Sequence, residues 1–206
     1  MTTSEPRSEE QPKGAQTRSR ILAETRRVLV DDGYDAVVMR TVAESVGVKL
    51  GNLQYYFPTR DDLLLAVITA EAATDIEDIR SVAGSTSAPL DGLIELVNLL
   101  VTKWRGDSGI VLATLGFLRM HKPDFDAAYR TVYAAFYSEV EPAIERAVPG
   151  LARGEYRRRA RLLTALLDGA AMQLDVGPRS EYIDAVSKAA LHIALSATAP
   201  IGGQRH

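Results

Sequence analysis

Apolar residues recur along this chain at helical spacing. Ile21, Leu22, Thr25, Val28 and Leu29 fall at i, i+1, i+4, i+7 and i+8, one face of a helix that should begin near Thr17 and stop at Gly33. Two short helical pieces follow, Met39 to Val46 and Leu50 to Tyr56, with Gly47 between them. Val38 stands where a Ser or Thr cap would be expected for the first of these. Pro58 then breaks the chain, and Thr59-Arg60-Asp61-Asp62 predicts a capping box with aspartate as its third helical residue. Leu63, Leu64, Val67, Ile68, Ile76 and Ile79 continue that helix to about Val82, and Gly84 to Pro89 reads as a loop. Further helices are predicted from Leu90 to Trp104, Ile110 to Met120, Asp124 to Val148, Glu155 to Val176 and Ser180 to Thr198. No stretch alternates as a strand would, so the expected fold is all-α with about nine helices and no internal repeat. Met1 to Gly14 carries no apolar face and reads as a disordered tail.

Composition narrows the class. Of 206 residues, 46% are hydrophobic and 25% charged, enough apolar material for a packed core. No apolar run approaches the ~20 residues of a membrane span, and residues 1–16 lack the apolar stretch of a secretory signal. Cysteine is absent, which excludes disulfide scaffolds, thiolate nucleophiles and cysteine-ligated metals and fits the cytoplasm. The net charge of -3 divides unevenly: Lys13 to Arg60 holds eight Lys/Arg against five Asp/Glu, whereas residues 61–206 hold fifteen against nineteen. A basic head on an acidic body suits a nucleic-acid module joined to a different kind of domain.

The stretch from Met39 to Tyr56 reads as a helix-turn-helix. Val42, Ala43 and Val46 face inward, Gly47 permits a left-handed turn, Val48 plugs the corner, and Leu53 with Phe57 seats the second helix. Lys49, Asn52, Gln54, Tyr55 and Tyr56 are left facing outward, all hydrogen-bonding groups with no carboxylate among them to repel phosphate. Arg40 and Arg60 open the flanking helices, placed for the DNA backbone, and Gly51 permits close approach to the major groove. An ordinary helical hairpin with a solvated face would share part of this pattern.

From Arg20 to Val67 the chain resembles the DNA-binding head of TetR-family regulators. The matching residues are Arg20-Ile21-Leu22, Gly33-Tyr34, Val42-Ala43, Val46-Gly47-Val48, Gly51-Asn52-Leu53, Tyr55-Tyr56-Phe57 and Arg60-Asp61-Asp62-Leu63-Leu64. The resemblance implies a DNA-binding domain over 15–60 and a ligand-binding and dimerisation domain over 61–206. It also implies that Arg40, Lys49, Leu50, Gly51, Asn52, Gln54, Tyr55, Tyr56 and Arg60 line the DNA face. Gln54 replaces the Tyr usual in the family and Asn52 a common Thr, so the bases read are expected to differ; an amide can bond an adenine edge.

Seven of the thirteen aromatics lie between Trp104 and Tyr137. They fill a helical core or line a pocket. The resemblance implies a pocket between the fourth and seventh helices, with Trp104, Phe117, Tyr133, Phe136 and Tyr137 as candidate walls and Arg119, His121 and Gln173 as candidate polar contacts. The expected occupant is an uncharged apolar or aromatic effector. Leu162, Leu163, Leu166, Leu167, Ala170 and Leu174, then Ile183, Val186, Ala190, Ile193 and Ala194, form two consecutive apolar stripes that predict a homodimer through the last two helices. Asp168 and Asp175 read as solvated or rim groups.

A helical enzyme would need a nucleophile with its base, a metal set or paired carboxylates. The only histidines are His121, His192 and His206, and no catalytic, metal-binding or cofactor motif occurs. The expected partners are therefore double-stranded operator DNA, a small-molecule effector and a second copy of the chain. Repression is the commoner mode that the resemblance implies, with activation left open.

Overall fold

The computed structural model describes residues 13–83, 88–173 and 179–196, and these form helices with no strand. In chain order they are α1 (Lys13–Asp31), a 3-10 turn (Tyr34–Ala36), α2 (Met39–Val46), α3 (Leu50–Tyr56), α4 (Arg60–Ala83), α5 (Pro89–Trp104), α6 (Asp107–Leu118), α7 (Pro123–Ala147), α8 (Arg153–Met172) and α9 (Arg179–Leu195). No helix among them is long and apolar enough to cross a membrane. Leu174, Asp175, Gly177, Pro178, Thr198, His206, the tail before Lys13 and most of the loop expected after Ala83 lie outside the described residues.

Two compact units divide between Ile68 and Thr69, inside α4. The first is organised by Ile21, Val42, Ala43, Val46, Leu53, Phe57 and Leu63, all buried, with Leu22, Met39, Val48, Tyr56 and Ala66 packed around them. Leu63 and Ala66 belong to this core, which is why the first unit runs past the division expected at Arg60. Helix α1 starts a turn earlier than Thr17. In this first turn Thr17 Oγ1 donates to the Lys13 carbonyl at 3.0 Å, and Gly14 lies close to the Tyr56 hydroxyl. The capping box forms as expected: Thr59 N donates to Asp62 Oδ2 at 3.0 Å, and Asp62 N to Thr59 Oγ1 at 3.1 Å.

In the second unit α5 packs against α6, α7, α8 and α9, and α8 against α7 and α9. Leu93, Leu96, Leu100, Leu115, Phe125, Phe136, Ile144, Leu163 and Ala190 are fully or almost fully buried between them. The corner from α5 to α6 requires glycine: a Cβ on Gly109 would lie 1.8 Å from the Trp104 carbonyl oxygen. At the α7–α8 corner the Tyr156 hydroxyl accepts from Leu151 N at 2.9 Å and donates to the Val148 carbonyl at 3.0 Å. Arg159, 2% exposed, donates to the Ala194 carbonyl at 2.7 Å and to the Ser196 carbonyl, supplying the carbonyls at the end of α9 with partners.

The two stripes assigned to dimerisation need correction. Leu163, Leu167, Ala170, Val186, Ala190 and Ala194 are buried within one chain, because α8 and α9 pack on each other and on α5. The faces that remain open are Leu162, Ala165 and Met172 on α8 and Ala185 and Ala189 on α9.

Candidate nucleic-acid interface

Helix α2 ends because Gly47 adopts the left-handed conformation at φ 73°, ψ 34°, and its N–H and that of Val48 fold back to the carbonyls of Glu44 (3.0 Å) and Ala43 (2.9 Å). Arg20, reaching over from α1, donates to the Val46 carbonyl at 2.6 Å, so one cation closes the last turn of α2. Lys49 stays extended and starts α3 by accepting from Asn52 N at 2.9 Å.

Helix α3 is seven residues long, roughly 10 Å, and only Leu53 on it is fully buried. Leu53 and the adjoining Phe57 anchor the helix, and Gly51, Asn52, Gln54 and Tyr55 are left exposed, Tyr55 at 81%. Lys49 and Arg40 are exposed as well, and Leu50 is half-buried. The outward face thus offers an ammonium, two amides and a phenol with no carboxylate on α3 itself. That chemistry suits a phosphate-flanked major groove ~12 Å wide.

Two of the residues expected on this face are engaged elsewhere. Tyr56 is half-buried, in edge contact with Tyr55 (centroids 5.3 Å), and packs on the core. Arg60 donates to the Tyr34 carbonyl, and its guanidinium carbon stacks 4.0 Å above the Tyr34 ring. Its head therefore clamps the 3-10 turn, and its Nε is buried without a hydrogen-bond partner. Arg20, which the resemblance marked only as a motif residue, proves to be the clamp of the α2 turn; its bond crosses 26 residues of sequence, and no local signal marks it.

The residues expected around an effector are only partly brought together. Trp104 meets Phe136 edge-on at 5.8 Å, Phe136 meets Tyr133 at 6.0 Å, and Tyr133 lies 6.1 Å from Tyr137 and stacks on Tyr129 at 4.2 Å. Arg119 caps this ladder, 4.0 Å above Tyr129 and paired with Asp126 at 3.3 Å. Phe117, 54% exposed, contacts only the ring of exposed His121 among the aromatics, and Gln173 is exposed at the end of α8. The cavity beside Trp104, lined by Val101, Leu167, Ala170 and Val186, measures about 20 Å³, room for one water. Trp104 Nε1 is buried with no partner among the described residues.

A polar cluster that spacing alone did not reveal joins α4, α5 and α6. Asp75 is 1% exposed, accepts from Lys103 Nζ at 2.8 Å and from the Ser108 hydroxyl, and Lys103 also meets Asp78 at 2.5 Å. Burial pushes the Asp75 carboxyl up, with the bonds from Lys103 and Ser108 opposing. Burial by itself would lower Lys103, but its bonds to Asp75 and Asp78 leave the ammonium above its ordinary value. Asp75 shares the spacing of Ile68, Ala72 and Ile79, the one sequence signal that it faces inward. Asp168, expected as a solvated or rim group, is partly buried and accepts from the Tyr133 hydroxyl at 2.8 Å; burial pushes its carboxyl up to about 6. Among the described residues no group of acidic and histidine side chains could hold a metal ion.

Known proteins agree with this architecture. The family model "Bacterial regulatory proteins, tetR family" matches residues 21–67. The chain is 41% identical over 71 residues to the HTH-type transcriptional repressor KstR of Mycobacterium tuberculosis, covering 34% of this chain and 32% of that one. It is 23% identical over 120 residues to the HTH-type transcriptional regulator PksA of Bacillus subtilis, covering 57% of this chain and 58% of that one. The chain thus spans less than two thirds of the length of these curated relatives. A transcriptional regulator from Saccharomonospora viridis, solved in complex with choline, shares the fold at a TM-score of 0.72 and 20% identity, over 85% of this chain and 94% of that one. The matched segment contains the whole helix-turn-helix, so residues 21–67 are similar to the DNA-binding head of the TetR family of bacterial regulatory proteins.

Proposed function

We propose that the protein is a transcriptional regulator that binds a palindromic operator as a homodimer, represses from it, and is released by a small-molecule effector. The carrying observation is the outward face of the recognition helix, where Lys49, Asn52, Gln54 and Tyr55 are exposed on a helix anchored through Leu53. Arg40, Leu50 and Gly51 complete the interface, and Tyr56 and Arg60, held by the core and by the 3-10 turn, set its shape. One short helix makes few base contacts. A two-fold dimer would place two of them about one DNA turn apart, ~34–36 Å.

The repressor reading draws on the similarity to KstR, and the effector reading on the choline complex of the Saccharomonospora protein. The open faces of α8 and α9 around Leu162, Ala165, Met172, Ala185 and Ala189 are the surfaces for dimerisation. Tyr133 and Tyr137 belong to the effector site. Trp104 and Phe136 form the packed wall behind it, and Phe117, Arg119, His121 and Gln173 stand farther out. Helix α4 belongs to both units, so effector binding in the body acts on the head along this one helix. A differential of ~1–3 kcal/mol between the two sites changes operator affinity ~5–150-fold.

The test is footprinting of the purified protein on DNA flanking its own gene, repeated over a salt series. The expected result is a protected two-fold site, with log affinity falling against log salt at a slope near -0.9 per phosphate neutralised. Failure to protect any duplex, or affinity independent of salt, refutes the reading.

A further inference from the structure

Helices α7 and α8 leave a groove of about 470 Å³ between them, open to solvent, with Tyr129, Tyr133 and Tyr137 along one wall and Arg161, Leu162, Ala165 and Asp168 along the other. That volume falls within the range of sites for small organic ligands, ~300–1,000 Å³. Two opposite charges in it lack an ionic partner among the described residues. Arg157 and Arg158 at the same end are neutralised by Glu141 (3.4 Å) and Glu155 (2.7 Å). Among the described residues Arg161 has only the Tyr137 hydroxyl beside it as a polar neighbour. At the other end Asp168 accepts the Tyr133 hydroxyl through Oδ2, and among the described residues no cation pairs with it.

Arg161 and Asp168 do not pair with each other; seven residues of one helix separate them by roughly 10 Å. Between them the stacked Tyr129 and Tyr133 rings and the Leu162 and Ala165 side chains offer an apolar bed. A bound molecule that meets both ends must carry an anion at one end, a hydrogen-bond donor at the other and a flat apolar middle.

We propose that this groove binds an aromatic carboxylic acid with a distal hydroxyl or amino group, its carboxylate on Arg161, its ring against the tyrosines and its donor on the free Oδ1 of Asp168. This deepens the reading of an effector-responsive regulator. It also moves the site outward from the Trp104 core, where the cavity is too small for anything but water, and makes the ligand charged rather than neutral. Leu162 and Ala165 belong both to the groove and to the face proposed for dimerisation, so the site opens beside that face.

The test is calorimetric titration of the full-length protein at neutral pH with 4-hydroxycinnamate and with cinnamate, which differ only in the distal donor. Wild type should bind the hydroxylated acid at least tenfold more tightly. Arg161→Ala should weaken both acids about tenfold or more, and Asp168→Asn should erase most of the preference between them. Thermal unfolding of each variant verifies that it is folded, and the exposed position of Arg161 keeps that arm informative if Asp168→Asn fails. Absence of binding by both acids overturns the proposal. Equal binding of the two by wild type does so too, as does loss of dimer in place of loss of ligand in Arg161→Ala. Footprinting involves no ligand, so operator protection that survives alongside a failed titration refutes the groove and leaves the regulator reading intact.

Discussion

Arg20 on α1 donates to the main-chain carbonyl of Val46 across 26 residues of sequence, at 2.6 Å. The bond falls where α2 has used up its own donors and the chain reverses at Gly47, so a single side chain in the first helix fixes the exit angle of the turn. Arg20→Ala should cost about 1.5 kcal/mol, the low end for a hydrogen bond with a charged partner because the stem is exposed. Urea unfolding measures that loss, and operator affinity should fall with it although Arg20 lies off the recognition helix.

Within the interface two substitutions should behave differently. Gln54→Ala removes an exposed amide of α3 and should lose ~1–3 kcal/mol at one base pair of each half-site, with little effect on other duplexes. Arg40→Ala should weaken all duplexes alike and flatten the salt slope by about one unit. Competition titrations over single-base operator variants separate the two.

Lys103→Met should be far more damaging than its position near the surface suggests. It strands the Asp75 carboxylate, 1% exposed, with Ser108 as its remaining donor. An uncompensated buried charge costs about 3–5 kcal/mol. Adding Asp75→Asn should recover part of the loss, and a double-mutant cycle by thermal unfolding gives the coupling directly.

Asp168 gives a pH dependence of unusual sign. Its carboxyl is raised to about 6 in the folded chain from a reference of 3.8, so the folded state holds the proton more tightly than the unfolded one. Stability from this group is therefore greatest below pH ~4 and declines as pH rises through ~6, by up to ~3 kcal/mol. Asp168→Asn should remove that slope. The check is the difference between wild-type and variant stability from pH 4 to 7.5, which should grow in the variant's favour toward high pH.

Gly109→Ala directs a methyl group into the Trp104 carbonyl, and a backbone atom cannot rotate away as a side chain would. The corner must open, at a cost of about 1–3 kcal/mol or more. A lowered melting temperature is the readout.

Most of the helical plan was legible because its signals are local. Apolar spacing located α1 to α9, Gly47 marked the turn, and Thr59 with Asp62 announced the start of α4. The exposed part of the candidate interface followed, since Leu53 and Phe57 had to be buried and Asn52, Gln54 and Tyr55 therefore had to face out. What failed depends on distant partners. Nothing local distinguishes an arginine waiting for phosphate from one stacked on Tyr34, as Arg60 is. The stripes on α8 and α9 were read as meeting a second chain, when α5 already covered much of them. Aromatic composition likewise could not separate Trp104 and Phe136, locked edge to face, from Tyr129 and Tyr137, which line an open groove.

The seam inside α4 bears on how such proteins exchange parts. A head excised at Pro58, the obvious break in the sequence, would leave behind Leu63 and Ala66 and expose Ile21 and Phe57 to water; a self-sufficient fragment has to run to Ile68. Grafting this head onto another body would mean splicing in mid-helix. There the insertion of one residue turns the helix that follows by about 100°, so that Ala72, Asp75 and Ile79 lose their register along α4 with Leu63 and Ile68. Shuffling between relatives is therefore register-locked, and working chimaeras should be those whose crossover keeps the count of residues between Leu63 and Asp75 unchanged.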